Sequence, residues 1–253
     1  MSRLPLSPET CPRTHGTGHD QMTENNELIP YQQMLEAGMH FGRKRTVFNP
    51  AMGDNVYAVR DGICIIDLPK TQESIAQTIE FLNSVLAVGG MVLWVAPTKQ
   101  SQDGVKKLAD QTGMPYVLDR WLGGTLTNFK NLNGRVKRLI ELEEERAAGG
   151  WQKYTKKEQL ELAREVSDMQ KKFEGLKKLT RIPDAIFVSS LKEGELAVHE
   201  AKLTGVKVAA IANTDADPSG VAKVICANDR SKRAVDLILD AISKNLQKPV
   251  ITG

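Results

Sequence analysis

The sequence predicts an α/β protein, a doubly wound parallel sheet in an α/β/α sandwich that carries a helical insertion. Two observations carry this reading. From Met91 onward, short apolar runs alternate with amphipathic segments, the pattern of β-α units whose strands are covered on both faces. Between residues 119 and 183 the alternation stops, and apolar residues recur at steps of three and four with no strand signal, as in paired helices. A hydrophobic fraction of 41% over 253 residues is enough for one core of this kind. The three cysteines exclude a disulfide framework or a four-cysteine zinc site. Val85–Pro97, the most apolar stretch, is broken by Gly89-Gly90 and is too short for a membrane helix. The expectation is a soluble intracellular chain. Its net charge of +3 hints only weakly at anionic partners.

Residues 1–27 show no apolar periodicity and no signal-peptide core. They read as a disordered extension or, over residues 1–21, as a misassigned start ahead of Met22. Tyr31–Ala37 reads as a short helix ended by Gly38. Val56–Val59 and Ile63–Ile66 are strand-like runs around Asp61-Gly62, a hairpin signal. Ile75, Ile79, Leu82 and Leu86 mark one helix face. Met91–Val95 and Pro115–Leu118 read as strands, separated by a helix with Thr98 at its cap and Gly113 at its end. Asp184–Val188 and Val206–Ile211 are strands around a helix over Glu195–Leu203. Lys223–Cys226 is a last strand, and Val235, Ile238, Leu239, Ile242 and Leu246 line a final helix. Right-handed crossovers are expected between the parallel strands.

In the insertion, Leu132, Val136 and Leu139 open one helix. Leu162, Val166, Met169, Phe173 and Leu176 form the seam of a second. Gly149-Gly150 between them predicts an antiparallel coiled-coil hairpin. The expected organisation is an α/β domain over 28–130 and 181–246, a hairpin over 131–180 and a flexible tail over 247–253. The basic positions Lys171, Lys172, Lys177 and Lys178 read either as a solvated face or as a hairpin end that meets phosphates.

Ligands of a doubly wound sheet sit beyond the carboxyl ends of its strands. There the sequence places Thr98-Lys99-Gln100, Asp119-Arg120-Trp121, Ser189-Ser190 and Asn213–Asp217. No G-x-G-x-x-G, Walker A, H-E-x-x-H or G-x-S-x-G pattern accompanies them. Gly123-Gly124-Thr125 is a weak candidate for a backbone anion cradle. Asp215 and Asp217 suit either a hard cation or a turn, and Pro218-Ser219-Gly220 favours the turn. Cys64 reads as core packing and His199 as a helix-surface residue. No catalytic, cofactor or metal residue is assigned.

Two segments combine cations, aromatics and asparagine: His40–Pro50 and Asp119–Lys130. Arginine grips phosphate bidentately, lysine as a point charge, and aromatic rings stack on unpaired bases. The alternative is that Phe41, Phe48, Trp121 and Phe129 anchor loops into the core while Arg43, Lys44 and Arg45 face outward. The candidate RNA-binding residues are Arg43, Lys44, Arg45, Asn49, Arg120, Trp121, Thr127, Asn128 and Lys130, with Lys171, Lys172, Lys177 and Lys178 from the insertion.

The strings Leu35–Gly42, Asn49-Pro50-x-Met52, Gly62-x-x-Ile65-Ile66-Asp67-Leu68-x-Lys70-Thr71, Arg120–Phe129, Arg181–Ala185 and Asn213-Thr214-Asp215-x-Asp217-Pro218 together resemble the bacterial small-subunit ribosomal protein S2 family, in order from about Leu28 to Leu246. The resemblance implies a flavodoxin-like α/β/α body with a protruding coiled-coil hairpin and no enzymatic activity. It implies binding to small-subunit ribosomal RNA near the head–body junction, late entry into assembly, and neighbours among the small-subunit proteins. These include ribosomal protein S1, which captures messenger RNA. It further implies a cytoplasmic protein on the ribosome, with no membrane, cofactor or homo-oligomer. The chain departs from the family at Arg43, where a histidine or another polar residue is common. It departs again over Ala222–Arg230, where a Pro-Gly pair is missing. Two other classes stay open: a nucleotide- or sugar-phosphate enzyme on the strand-end crest, and a coiled-coil adaptor that binds protein only.

Overall fold

The computed structural model describes residues 28–247. The extension expected over 1–27 and the tail residues 248–253 lie outside them.

Eight strands and seven α-helices follow one another. α1 (Tyr31–Glu36) leads into β1 (Phe41–Lys44), β2 (Val56–Arg60) and β3 (Ile63–Ile66). α2 (Leu68–Ala87), β4 (Val92–Ala96), α3 (Lys99–Thr112) and β5 (Tyr116–Leu118) come next. The insertion supplies α4 (Phe129–Ala147) and α5 (Lys156–Phe173). β6 (Ala185–Val188), α6 (Glu195–Thr204), β7 (Lys207–Ala212), β8 (Lys223–Cys226) and α7 (Lys232–Asn245) complete the described chain.

The main sheet is parallel, in the order β5-β4-β6-β7-β8. Counted within that sheet the order is 2-1-3-4-5, which belongs to doubly wound sheets and puts the switch point between β4 and β6. Because side chains alternate across a strand, Val92, Trp94 and Ala96 join an apolar layer with α1, α2, α3 and α7. Leu93 and Val95 join a second layer with residues of α4, α5 and α6. β4, β6 and nearly all of β7 are buried throughout, as parallel strands covered on both faces must be.

The expected hairpin is present, but it is part of a three-stranded antiparallel sheet in the order β1-β3-β2. Asp61 and Gly62 turn it with φ of 49° and 75°, the left-handed pair that a two-residue hairpin of type I′ needs. β1, with the sequence Phe-Gly-Arg-Lys, shows no apolar alternation. Its partner β3, and not its own pattern, makes it a strand.

In the insertion, α4 buries Leu132, Val136, Leu139 and Leu142. α5 starts with a capping box between Thr155 and Glu158 and buries Val166 and Phe173. The two helices contact each other. Glu143 of α4 accepts hydrogen bonds from Gln170 at 2.6 Å and from Lys177 at 2.7–2.8 Å.

Candidate nucleic-acid interface

β1 crosses the strand-end crest, and a cleft of about 560 Å³ lined by Asn49, Lys192, His199, Asp215 and Asp217 stays open beside it. At Gly42 a Cβ would stand 2.8 Å from the Cys64 carbonyl oxygen and 2.9 Å from the Thr214 methyl. Only glycine lets β1 pass this close to the crest. The next residue, Arg43, donates its backbone N–H to Thr214 Oγ1 at 2.9 Å. Its Nη2 donates to Asp229 Oδ1 at 3.2 Å, and its Nε lies 3.4 Å from Asp215 Oδ1. Lys192 donates to the other Asp215 oxygen at 2.9 Å. Ser190 and Asn213 donate to Asp229 at 2.8 and 3.2 Å. Burial pushes the Asp215 pKa up, but Lys192 and Arg43 outweigh it and hold the carboxyl below its usual range. Two carboxylates and two cations thus neutralise each other at the crest.

The neighbouring positions are also occupied. Asp217 accepts the Ser219 N–H at 2.9 Å, as the turn reading expects. At the switch point, Ser189 donates to Ser101 Oγ at 2.7 Å and Ser101 to the Thr98 carbonyl at 2.9 Å. Thr98 stands at the α3 cap position, but its side chain accepts no backbone N–H there.

The loop from Arg120 to Lys130 folds around an anion, and that anion is internal. The Glu200 carboxylate on α6, 4% exposed, accepts the Trp121 indole N–H at 3.1 Å and the backbone N–H groups of Gly124 at 2.7 Å, Leu126 at 3.0 Å and Thr127 at 3.4 Å. The loop is therefore an anion cradle built by Trp121, Gly124, Leu126 and Thr127, of which only Gly124 belongs to the Gly123-Gly124-Thr125 candidate, and its occupant belongs to the chain. Burial raises the Glu200 pKa; the donated hydrogen bonds overcome this and lower it.

Next to the loop lies a cleft of about 500 Å³ lined by Leu122, Gly123, Gly124, Asn128, Asn131, Leu132, Arg135, Lys172 and Phe173. It contains two cations and no carboxylate. Neither Arg135 nor Lys172 has an ion pair or a side-chain hydrogen bond among the described residues. An adjoining cleft of about 540 Å³ shares Asn131, Arg135, Lys172 and Phe173 and adds Arg138, Glu165 and Asp168. α4 places Asn128, Asn131 and Arg135 on one face, at steps of three and four.

The candidate residues separate accordingly. Arg43 is corrected: it turns inward to Asp215 and Asp229, because two buried carboxylates need a cation. Trp121 follows the core-anchor alternative. It is buried and its N–H is taken by Glu200. Asn49 accepts the Ala51 N–H and donates its own backbone N–H to the Thr214 carbonyl. Lys177 is half-buried on Glu143. Thr127 donates to Glu200 at 3.4 Å through its hydroxyl while staying exposed. Lys44, Arg45, Arg120, Asn128, Lys130, Lys172 and Lys178 are exposed, and Lys171 is exposed beside Asp168 at 3.6 Å. Of all these, Asn128 and Lys172 meet in the cleft.

Three residues of this region escape the sequence reading: Asn131, Arg135 and Glu200. Glu200 was detectable in principle, since it falls in phase with Ala197 and Ala201 on the apolar side of α6.

Such a molecule is a doubly wound α/β body whose crest charges are paired internally and whose helical flank carries cations without ion pairs. This makes it a charge-presenting scaffold. A family model described as Ribosomal protein S2 matches residues 34–248. The small ribosomal subunit protein uS2 of Thermus thermophilus is 44% identical over 211 residues, spanning 83% of this chain and 82% of that protein. The uS2 proteins of Afipia carboxidovorans and Nitrobacter hamburgensis are 39% and 38% identical over 213 residues, spanning 84% of this chain and 64% of theirs. The chain belongs to the ribosomal protein S2 family, which is structural and non-enzymatic. Among the described residues no helix is long and apolar enough to cross a membrane.

Proposed function

We propose that this chain is a structural constituent of the small ribosomal subunit and binds small-subunit ribosomal RNA through its basic helical flank. The observation that carries the reading is the cleft of Arg135 and Lys172, two cations that form no ion pair among the described residues, although Glu165 and Asp168 line the adjoining cleft. Asn128 and Asn131 add amide groups, and Lys130, Lys171, Lys178 and Arg120 extend the positive surface. Lys44 and Arg45 offer a second basic edge. Arg43, Asn49 and Trp121 tie down the segments that carry these cations, Lys177 pairs with Glu143 of α4, and Thr127 stays exposed. A-form RNA hides its base edges in a deep groove, so contacts go to phosphates and 2′-hydroxyls.

The same reading treats 28–130 and 181–246 as the α/β body and 131–180 as an antiparallel coiled-coil hairpin. The contact between α4 and α5 and the burial of Val136, Val166 and Phe173 support the hairpin. Family membership supports a cytoplasmic place on the ribosome as a single copy, beside other small-subunit proteins, with S1 docked nearby.

Co-sedimentation with small subunits lacking the protein tests the proposal. If about five phosphates are neutralised, log K falls with log salt at a slope near −4. Arg135→Ala with Lys172→Ala makes that slope shallower by roughly 1.5 and weakens binding about ten-fold, with an unchanged melting midpoint. An unchanged slope removes the cleft from the interface.

A further inference from the structure

The three-stranded sheet carries a second, chemically different surface. On β3, Cys64 and Ile66 are buried while Ile63 and Ile65 face outward. Cross-strand partners share a face, so Phe41 and Ala58, both opposite Ile65, stand on the outer side with Arg60, which lies opposite Ile63. The pairing of β2 shifts between Val56 and Ala58, and Tyr57 lines the same groove of about 440 Å³. Two aromatic rings are open there: Tyr57 is 75% exposed and Phe41 46%. They stand on strands separated by one other, about 9–10 Å apart, which suits two separate ring systems better than one ring held between them.

The charge around this face selects its occupant. Lys44, Arg45 and Arg60 are exposed, and none has an ion pair or a side-chain hydrogen bond among the described residues. Asp61 is the one acid lining the groove. An apolar protein segment would use the rings and leave three cations unanswered. A single RNA strand uses both, with its bases stacked on the rings and its phosphates toward the cations.

We propose that the outer face of the β1-β3-β2 sheet binds unpaired RNA, with bases stacked on Phe41 and Tyr57. This rests on the reading of the chain as an RNA-binding protein. It adds a single-strand site separate from the phosphate cleft on α4 and α5.

The test uses the full chain with fluorescently labelled oligouridylate and oligoadenylate, and with a labelled RNA duplex as the second probe. Tyr57→Ala and Phe41→Ala each weaken single-strand binding roughly ten-fold and leave duplex binding unchanged. Tyr57→Phe retains the affinity, since the ring alone is required. Tyr57 is exposed, so its replacement leaves the fold intact even if Phe41→Ala disturbs β1. Single-strand affinity that survives Tyr57→Ala removes this face from single-strand binding and overturns the proposal. Duplex binding without single-strand binding overturns it while the phosphate cleft stands. Failure to bind either RNA overturns both.

Discussion

Two regions of this molecule combine cations with hydrogen-bonding groups near loop and strand ends, and they behave in opposite ways. At the crest, Arg43 and Lys192 meet Asp215 and Asp229, so charge is cancelled where a doubly wound fold ordinarily takes its ligand. In the cleft beside α4, Arg135 and Lys172 are paired with no carboxylate, although Glu165 and Asp168 line the adjoining cleft. Residue composition alone does not separate the two. What separates them is whether an internal partner has already claimed the charge. A paired cation is part of the fold, and an unpaired one remains for a partner molecule.

The largest effect expected from this contrast is at Glu200, which fills the loop cradle that the sequence alone would offer to a ligand. Glu200→Ala leaves the Trp121 indole and the backbone N–H groups of Gly124 and Leu126 buried without an acceptor. Each such group costs about 1–3 kcal/mol, so a loss on the order of 3 kcal/mol follows, with a melting midpoint lower by roughly 10 °C. The carboxyl's pKa is lowered in the folded chain. Its stabilisation is therefore complete above the ordinary glutamate range and fades as pH falls through the folded value. Urea unfolding across an acid series shows this fading in the parent. In Glu200→Gln that contribution disappears from the pH dependence. A Gln variant that keeps the parent's acid sensitivity would assign that sensitivity elsewhere.

Arg43→Ala comes next. It removes the shared cation of Asp215 and Asp229 and costs about 1–3 kcal/mol, less than the loss of a fully buried pair because Lys192, Ser190 and Asn213 remain. Chemical denaturation measures it. A stability within experimental error of the parent would mean that Arg43 is not what neutralises the crest.

The strands and helices of the body are legible because parallel strands buried on both faces read as apolar runs and their helices carry the 3.6 period. β1 was not, since Phe41–Lys44 owes its extension to its distant partner β3, where Phe41 pairs with Ile65 and Lys44 with Ile63. The site was legible in kind but not in direction. Arg43 and Arg45 are the same residue type two positions apart, yet one turns to buried carboxylates and the other to solvent. Trp121 and Phe41 both read either as stacking rings or as core anchors; Trp121 is core and Phe41 is half open. Orientation of this kind depends on distant chain: Asp229 for Arg43, Glu200 for Trp121. A local pattern carries no trace of either.

The smallest effect on stability, and the sharpest use of the comparison, is expected from Lys44→Ala with Arg45→Ala. Both side chains are exposed and unpaired, so their loss shifts stability by no more than about 0.5 kcal/mol. If they meet RNA phosphates, the slope of log K against log salt becomes shallower by one to two units while the melting midpoint stays put. Arg43→Ala produces the reverse, a lower midpoint with the salt slope retained. Three consecutive basic residues then divide into one that holds the protein and two that hold its partner. Equal salt slopes for the double variant and the parent would confine RNA binding to the helical flank and leave this edge as solvated surface.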